Sequence, residues 1–149
     1  MLVKEVKPIN FIFYRTETTV DNLINLVPIA KELFKEAVQL QLHITGPIHW
    51  HYFGFTDNQK PFTLEIALPV SAIVPDYDGK LHFKRSEPFK CVTTIHEGGW
   101  NEIPSSYNKM MQFITKHKME PSMMNREIYI NSDFQNPDAN VTEIQIGIY

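Results

Sequence analysis

Cysteine and long apolar runs are nearly missing from this sequence of 149 residues. Its single cysteine, Cys91, excludes a disulfide within the chain. A lone thiol is typical of a reducing compartment, so we expect a cytoplasmic protein. No apolar run approaches the ~20 residues of a membrane-spanning helix. The N-terminus also lacks the apolar block of a signal peptide, so we expect neither membrane insertion nor export.

Basic residues are also scarce. Lysine and arginine number 14 against 17 acidic residues, which gives a net charge of −3. Proteins that bind nucleic-acid phosphates cluster basic residues on one surface. This chain has no excess of basic residues, so we expect no direct binding to nucleic acid. Phosphate-binding loops, dinucleotide-binding turns and serine-nucleophile elbows are missing from the sequence, and we predict no cofactor.

The apolar content is sufficient for one buried core. Hydrophobic residues make up 43% of the chain, close to the average for a globular protein. A chain of this length buries about 70% of the surface that its unfolded form exposes. We therefore expect a single domain over residues 1–149 that folds without a disulfide or a metal ion.

Two segments of the chain resemble two later segments at nearly the same spacing. Residues 25–28 and 101–104 both have the pattern Asn-x-x-Pro and open a helical pattern. Residues 63–68 and 141–146 share a Glu-Ile pair within an alternating strand pattern. The repetition predicts a tandem duplication. Its parts are a first unit at about residues 8–70, a connector at 71–87 and a second unit at about 88–149.

Each unit has the pattern strand, helix, strand, strand. In the first unit the strands are predicted at 10–15, 48–53 and 62–70, with a helix beginning near Asn25, or at Asp21 with a kink at Pro28. In the second unit they are predicted at 89–95, 126–131 and 142–148, with a helix after Gly99. We therefore predict an α+β fold of tandem β-α-β-β units. Both helices would cover one face of an antiparallel sheet, and a ligand cleft would lie on the other, more polar face.

The alternation of strand residues predicts a binding site on the face without helices. In the strand at 126–131, Ile128 and Ile130 are expected to point toward the helices, which turns Glu127 and Tyr129 the other way. Aligning the two units places two histidines of the first unit beside them. The predicted site therefore contains Glu127, Tyr129, His49 and His51.

Several side chains have two interpretations. Trp100 follows a double glycine and either forms a pocket wall or packs over the helix start. We include Trp100, and Tyr107 of the following helix, among the predicted ligand-binding residues. His49 and His51 have the spacing of a metal pair on a strand, yet no known metal-ligand spacing accompanies them, and we predict no metal site. Cys91 lies in an apolar strand, where a thiol is normally inert packing.

The order of these segments resembles the GyrI-like, or AraC-type effector-binding, domain family. The resemblance rests on residues 96–104, Tyr107, residues 113–114, the Glu-x-Tyr strand at 126–131 and residues 142–146. It covers nearly the whole chain and implies a tandem β-α-β-β fold with a central cleft for small molecules. In related multidrug-sensing regulators, the glutamate at the position of Glu127 faces cationic aromatic drugs.

The resemblance leaves several functions open. The first is binding of amphipathic, cationic small molecules, with Glu127 as counter-charge and Tyr129 and Trp100 as aromatic walls. Titration of His49 and His51 would make such binding depend on pH. Other members imply a hydrolase with Glu127 as general base, a protein-binding inhibitor of DNA gyrase, or a haem carrier of the SOUL type. The single candidate acid favours binding over catalysis.

Partners are predicted only by class. A small-molecule ligand is expected, and a protein partner or a homodimer stays open. Regulators of this family carry a separate helix-turn-helix domain for DNA, and no residues are left over for one here, so we expect no DNA binding by this chain alone.

Overall fold

The computed structural model describes the whole chain, Met1–Tyr149, as eight strands and two α-helices. The strands are β1 (Leu2–Val6), β2 (Asn10–Thr18), β3 (His49–Phe53), β4 (Phe62–Pro69), β5 (His82–Arg85), β6 (Phe89–Glu97), β7 (Pro121–Asn131) and β8 (Val141–Ile148). The helices are α1 (Ile29–Gln39) and α2 (Ile103–Lys116), with 3-10 helices at Val20–Leu26, Trp100–Glu102 and Pro137–Ala139.

All eight strands form one antiparallel sheet in the order β1-β6-β8-β7-β3-β4-β2-β5. The predicted α+β class is confirmed. Strands β2, β4 and β3 of the first half are arranged like β6, β8 and β7 of the second, and the halves join where β3 pairs with β7. Both halves have the predicted element order, while their origin by duplication stays a prediction.

The two edge strands of the sheet, β1 and β5, come from segments outside the two predicted units. Strand β1 pairs with β6 of the second unit, and β5, from the connector, pairs with β2 of the first unit. The chain therefore begins on the second half of the sheet before it builds the first half. Neither α-helix is long and apolar enough to cross a membrane.

Proline fixes where helix α1 begins. Pro28 lies at the N-cap of α1 and separates it from the 3-10 helix Val20–Leu26. Proline has no backbone N–H and clashes with the preceding turn, so an α-helix accepts it only at its start. The sequence allowed a helix start near Asn25 or at Asp21. In the structure both residues lie in the 3-10 helix, and α1 begins after Pro28. Pro104 has the same role in the first turn of α2.

Both helices pack on the same face of the sheet, as predicted. Leu33 and Ala37 of α1 belong to one core cluster with strand residues of the first half, and Met110 and Ile114 of α2 to a second cluster in the other half. The register row Ile66, Trp50, Glu127 and Ile144 crosses four neighbouring strands and joins the two clusters. Residues paired in this way project to one side of the sheet, so the clusters share a face.

The face without helices is covered by its own long side chains. Glu65 on β4 is only 2% exposed and forms ion pairs with Arg15 of the neighbouring strand β2 and with Lys84 of β5, one strand further. Lys4 of β1 pairs with Glu143 of β8 at an N–O distance of 2.8 Å. This face is therefore largely buried, with charged side chains beside an apolar cluster of Phe11, Phe13 and Ala67.

Candidate functional site

A cleft of about 1240 Å³ opens on the helix face of the sheet, between α1 and α2. Helix α1 packs on β2 and β4, and α2 packs on β6, which leaves β7 and β3 uncovered in the middle. A helix about 10 Å wide covers roughly two strands spaced about 4.8 Å apart, so two helices leave such a gap. The prediction that the cleft lies on the face without helices is wrong.

The carboxyl group of Glu127 lies at the floor of this cleft and has three tyrosine partners. Tyr129 Oη donates a hydrogen bond to Oε1 at 2.5 Å, and Tyr107 Oη donates to Oε2 at 2.9 Å. Tyr52 Oη lies 3.4 Å from Oε1. These tyrosines come from β7, α2 and β3, so the cluster joins both halves of the molecule.

Burial controls the ionisation of this cluster. Glu127 is 7% exposed, and burial raises the pKa of its carboxyl group, although the three tyrosine hydrogen bonds and His96 act against this. Burial and the nearby carboxylate raise the pKa of each tyrosine well above its ordinary value. The tyrosines therefore stay neutral hydrogen-bond donors, and none of the four ion pairs of the protein includes Glu127.

Aromatic and apolar side chains line the rest of the cleft. Trp100 packs edge-to-face against Phe134 at 4.9 Å and against Tyr129 at 6.1 Å, measured between ring centroids. Trp100 lines the cleft and also packs against the core cluster that contains Ile103 at the start of α2, so it combines both interpretations. The opposite wall is formed by side chains of α1 and of the 3-10 helix before it, including Leu23, Val27 and Phe34.

The structure separates His49 and His51 from the cleft. Trp50, which lies between them in the chain, pairs with Glu127 across β3 and β7, whereas His49 pairs with Ile128 and His51 with Arg126. The alignment of the units that placed the histidines opposite Glu127 differs from this register by one residue. A shift of one residue moves every side chain to the other face. The predicted grouping of the histidines with Glu127 is therefore wrong, and so is the predicted direction of Ile128.

The two histidines form a buried pair on the face without helices. Nδ1 of His49 lies 3.0 Å from Nε2 of His51, and the ring of Phe11 packs edge-to-face against both. Burial, followed by the charge of Arg126, lowers the pKa of His49 to about 3, and burial lowers that of His51 well below its usual value. Both rings are neutral near pH 7. No group of three histidine, cysteine or acidic residues is placed to hold a metal ion.

Cys91 lies on the same face and is fully buried. Burial raises the pKa of its thiol to about 11, so the thiolate does not form near neutral pH. A protonated, enclosed thiol is a poor nucleophile. The interpretation of Cys91 as packing fits this environment.

Sequence reasoning missed Tyr52 and Trp50 as cleft residues. The predicted cleft lay on the face without helices, so residues on the helix face were not considered for the site. The signal that could have found them is the pattern of β3 itself, which alternates histidines with large aromatic residues. An aromatic floor next to a buried acid is typical of a ligand pocket.

The fold and the cleft define an α+β domain with one antiparallel sheet and a pocket between two helices. The sequence profile described as the GyrI-like small molecule binding domain matches residues 2–148. The chain belongs to this family, as its sequence indicated. Comparison with curated proteins found no match.

Similar solved structures have the same fold at low sequence identity. The C-terminal domain of EcmrR superposes with a TM-score of 0.85 and 21% identity, covering 99% of this chain and 96% of that one. SAV2435 bound to tetraphenylphosphonium gives 0.65 and 11%, covering 99% and 93%. A hydrolase from Listeria innocua gives 0.63 and 16%, covering 99% and 91%. At these identities the similarity shows the fold alone.

Proposed function

We propose that the cleft binds amphipathic organic cations, with Glu127 as their counter-charge. The observation that carries this proposal is a buried carboxyl group at the floor of an apolar cleft, with no lysine or arginine paired to it. In a site of low dielectric constant, a cation and a carboxylate attract each other much more strongly than in water. A ligand that brings the missing positive charge is therefore favoured over a neutral one.

The aromatic residues around Glu127 suit the same ligand class. Trp50, Trp100 and Tyr129 line the cleft together with Glu127, and the ring of Tyr129 packs edge-to-face against each of the two tryptophans. The faces of aromatic rings attract cations, most strongly where water is displaced. The mainly apolar lining then accommodates the hydrophobic part of the ligand. The cleft volume of about 1240 Å³ suits a bulky ligand.

Tetraphenylphosphonium is the probe of choice. It is the cation named for SAV2435, which has the same fold, and it combines one delocalised charge with four apolar rings. We expect binding in isothermal titration calorimetry, and a loss of roughly tenfold or more in affinity for Glu127→Gln, which is about 1.4 kcal/mol. Glu32→Gln, an exposed change on α1, is the matched control and should bind like the wild type.

A neutral probe completes this experiment. Triphenylphosphine oxide has similar rings without a charge, and its affinity should be the same for the wild type and Glu127→Gln. Equal affinity of both proteins for tetraphenylphosphonium would contradict the proposal, because the carboxyl group would then contribute nothing to cation binding.

Hydrolysis by Glu127 is a second candidate. Burial raises the pKa of Glu127, and a general base works best when its pKa is near the operating pH. Its partners are three neutral tyrosines, so the site offers one acid–base group. Formation of a hydrolysis product from an electrophilic substrate, lost in Glu127→Gln while binding persists, would establish this activity.

A further inference from the structure

The titratable groups around Glu127 include no lysine or arginine. They are Tyr52 of β3, Tyr107 of α2, Tyr129 of β7 and His96 of β6. Nε2 of His96 lies 2.9 Å from the carbonyl oxygen of Gly99, and Nδ1 lies 2.8 Å from Oγ of Ser106. A carbonyl oxygen only accepts, so Nε2 carries a hydrogen, whereas the serine hydroxyl can either donate to Nδ1 or accept from it.

An ionised Glu127 therefore has no cationic side chain among its hydrogen-bond partners, although the nearby His96 favours the ionised form. Burying a carboxylate that has only neutral partners costs several kcal/mol, and such a group commonly takes up a proton instead. The three hydroxyl donors offset part of this cost. Burial is nevertheless the largest influence on the carboxyl group, and it raises the pKa.

The hydrogen-bond geometry also accommodates a protonated carboxyl group. Oε1 of Glu127 faces two hydroxyl groups, those of Tyr129 and Tyr52, whereas Oε2 faces only that of Tyr107, at 2.9 Å. A tyrosine hydroxyl both donates and accepts. A proton on Oε2 can therefore be donated to the oxygen of Tyr107, whose own hydrogen then turns toward the cleft. No heavy atom has to move between the two protonation states.

We propose that Glu127 holds a proton in the ligand-free protein and releases it to the solvent when a cation enters the cleft. This inference rests on the proposed function. The cation takes the place of the proton as the positive partner of the carboxylate, so the charge of the cluster is balanced before and after binding. The cleft exchanges one proton for one monovalent cation, and its affinity for cations is regulated by pH.

The exchange fixes the direction of the pH dependence. Below the pKa of Glu127 in the free protein, a cation must displace a proton, so affinity rises with pH by up to about tenfold per pH unit. Above that pKa the carboxylate is already formed, and affinity becomes constant. The number of protons released per cation falls from one toward zero over the same range.

Calorimetry measures this proton release directly. Tetraphenylphosphonium is titrated into the full chain in phosphate and in bis-Tris, two buffers with different ionisation enthalpies, at several values between about pH 5 and about pH 8. The difference in binding enthalpy between the buffers gives the number of protons released. We expect release that is largest at the lowest pH in the wild type, and none at any pH for Glu127→Gln.

Two further readouts keep the test independent of one variant. Tyr107→Phe retains the carboxyl group but removes one donor to the carboxylate, so proton release should persist to higher pH. Infrared spectroscopy should show the carbonyl stretch of a protonated carboxyl group in the wild type, lost on adding the cation and missing in Glu127→Gln. A cation bound without proton release at any pH would overturn this inference and leave the proposed function standing. No binding of the cation would overturn both.

Discussion

At the scale of single residues, the three tyrosines around Glu127 are not equivalent. Tyr129 approaches Oε1 to 2.5 Å, whereas Tyr52 lies 3.4 Å from the same oxygen. Hydrogen bonds to a charged or partly charged acceptor strengthen as they shorten toward 2.5–2.7 Å. Tyr129 therefore contributes most to the stability of the carboxyl group, and Tyr52 least.

The phenylalanine variants of the two tyrosines separate these contributions. We expect Tyr129→Phe to lower the free energy of unfolding by about 1–1.5 kcal/mol, the upper part of the usual range for a hydrogen bond between uncharged groups. Tyr52→Phe should lower it by less than about 1 kcal/mol, because its bond is long. Urea denaturation of both variants near pH 7 measures this difference. Equal losses would show that the oxygen–oxygen distances do not predict the relative strengths of these hydrogen bonds.

At the scale of strands, β7 and β8 are joined closely where β7 is irregular. The register between them shifts between Pro121 and Asn125, and Met123 has a positive φ of 64°. Gly147 of β8 lies against this irregularity. A Cβ atom there would lie 2.5 Å from the backbone oxygen of Met124 and 2.8 Å from the ring of Phe89. Only a residue without a side chain fits between these strands.

Adding a methyl group at Gly147 therefore has a cost. We expect Gly147→Ala to lower the free energy of unfolding by about 1–3 kcal/mol, since backbone atoms of β7 must move. Gly46→Ala is the control, because its Cβ would lie 3.4 Å from a flexible proline ring and at a negative φ. Thermal or urea unfolding gives both values. A Gly147→Ala protein as stable as Gly46→Ala would contradict the close approach of β7 and β8.

The element scale also shows what sequence patterns can determine. The alternation in residues 126–131 correctly separated Glu127 and Tyr129 from Ile128, but it assigned the two sides to the wrong faces. Periodicity determines which residues of one strand share a side, and says nothing about where the helices lie. The side was decided by the pairing of Trp50 with Glu127 across β3 and β7. The sequence of neither strand shows which of its residues will pair across this antiparallel register.

At the scale of the whole molecule, the two faces of the sheet have different electrostatics. The helix face carries one buried acid at an open cleft, and the other face encloses a neutral histidine pair beneath ion pairs. Folding keeps His49 neutral down to about pH 3, whereas an unfolded chain protonates it near its ordinary value of about 6.5. Between these values the unfolded state binds more protons, so stability falls as pH falls.

This difference predicts an acid-sensitive fold. We expect the free energy of unfolding to fall by up to about 1.4 kcal/mol per pH unit for each buried histidine below about pH 6. His49→Gln should reduce this slope by about half, whatever its effect on stability at neutral pH. His43→Gln, a change at an exposed position, should leave the slope unchanged. Urea titrations between about pH 6.5 and about pH 5 measure the slopes. A steep slope retained in His49→Gln would exclude this histidine as its source.

The sequence by itself determined the elements of this protein, and the tertiary structure decided where they meet. Local patterns were sufficient for six of the eight strands, including the Glu-x-Tyr strand, and for the two helices, because periodicity and proline act within a few residues of one another. The edge strands β1 and β5 were not predicted. The cleft, and the meeting of Tyr52, Tyr107 and Tyr129 at Glu127, depend on pairing β3 with β7 and on the width that two helices leave uncovered. Those distances exist only between segments far apart in the chain, so no local pattern could have fixed them.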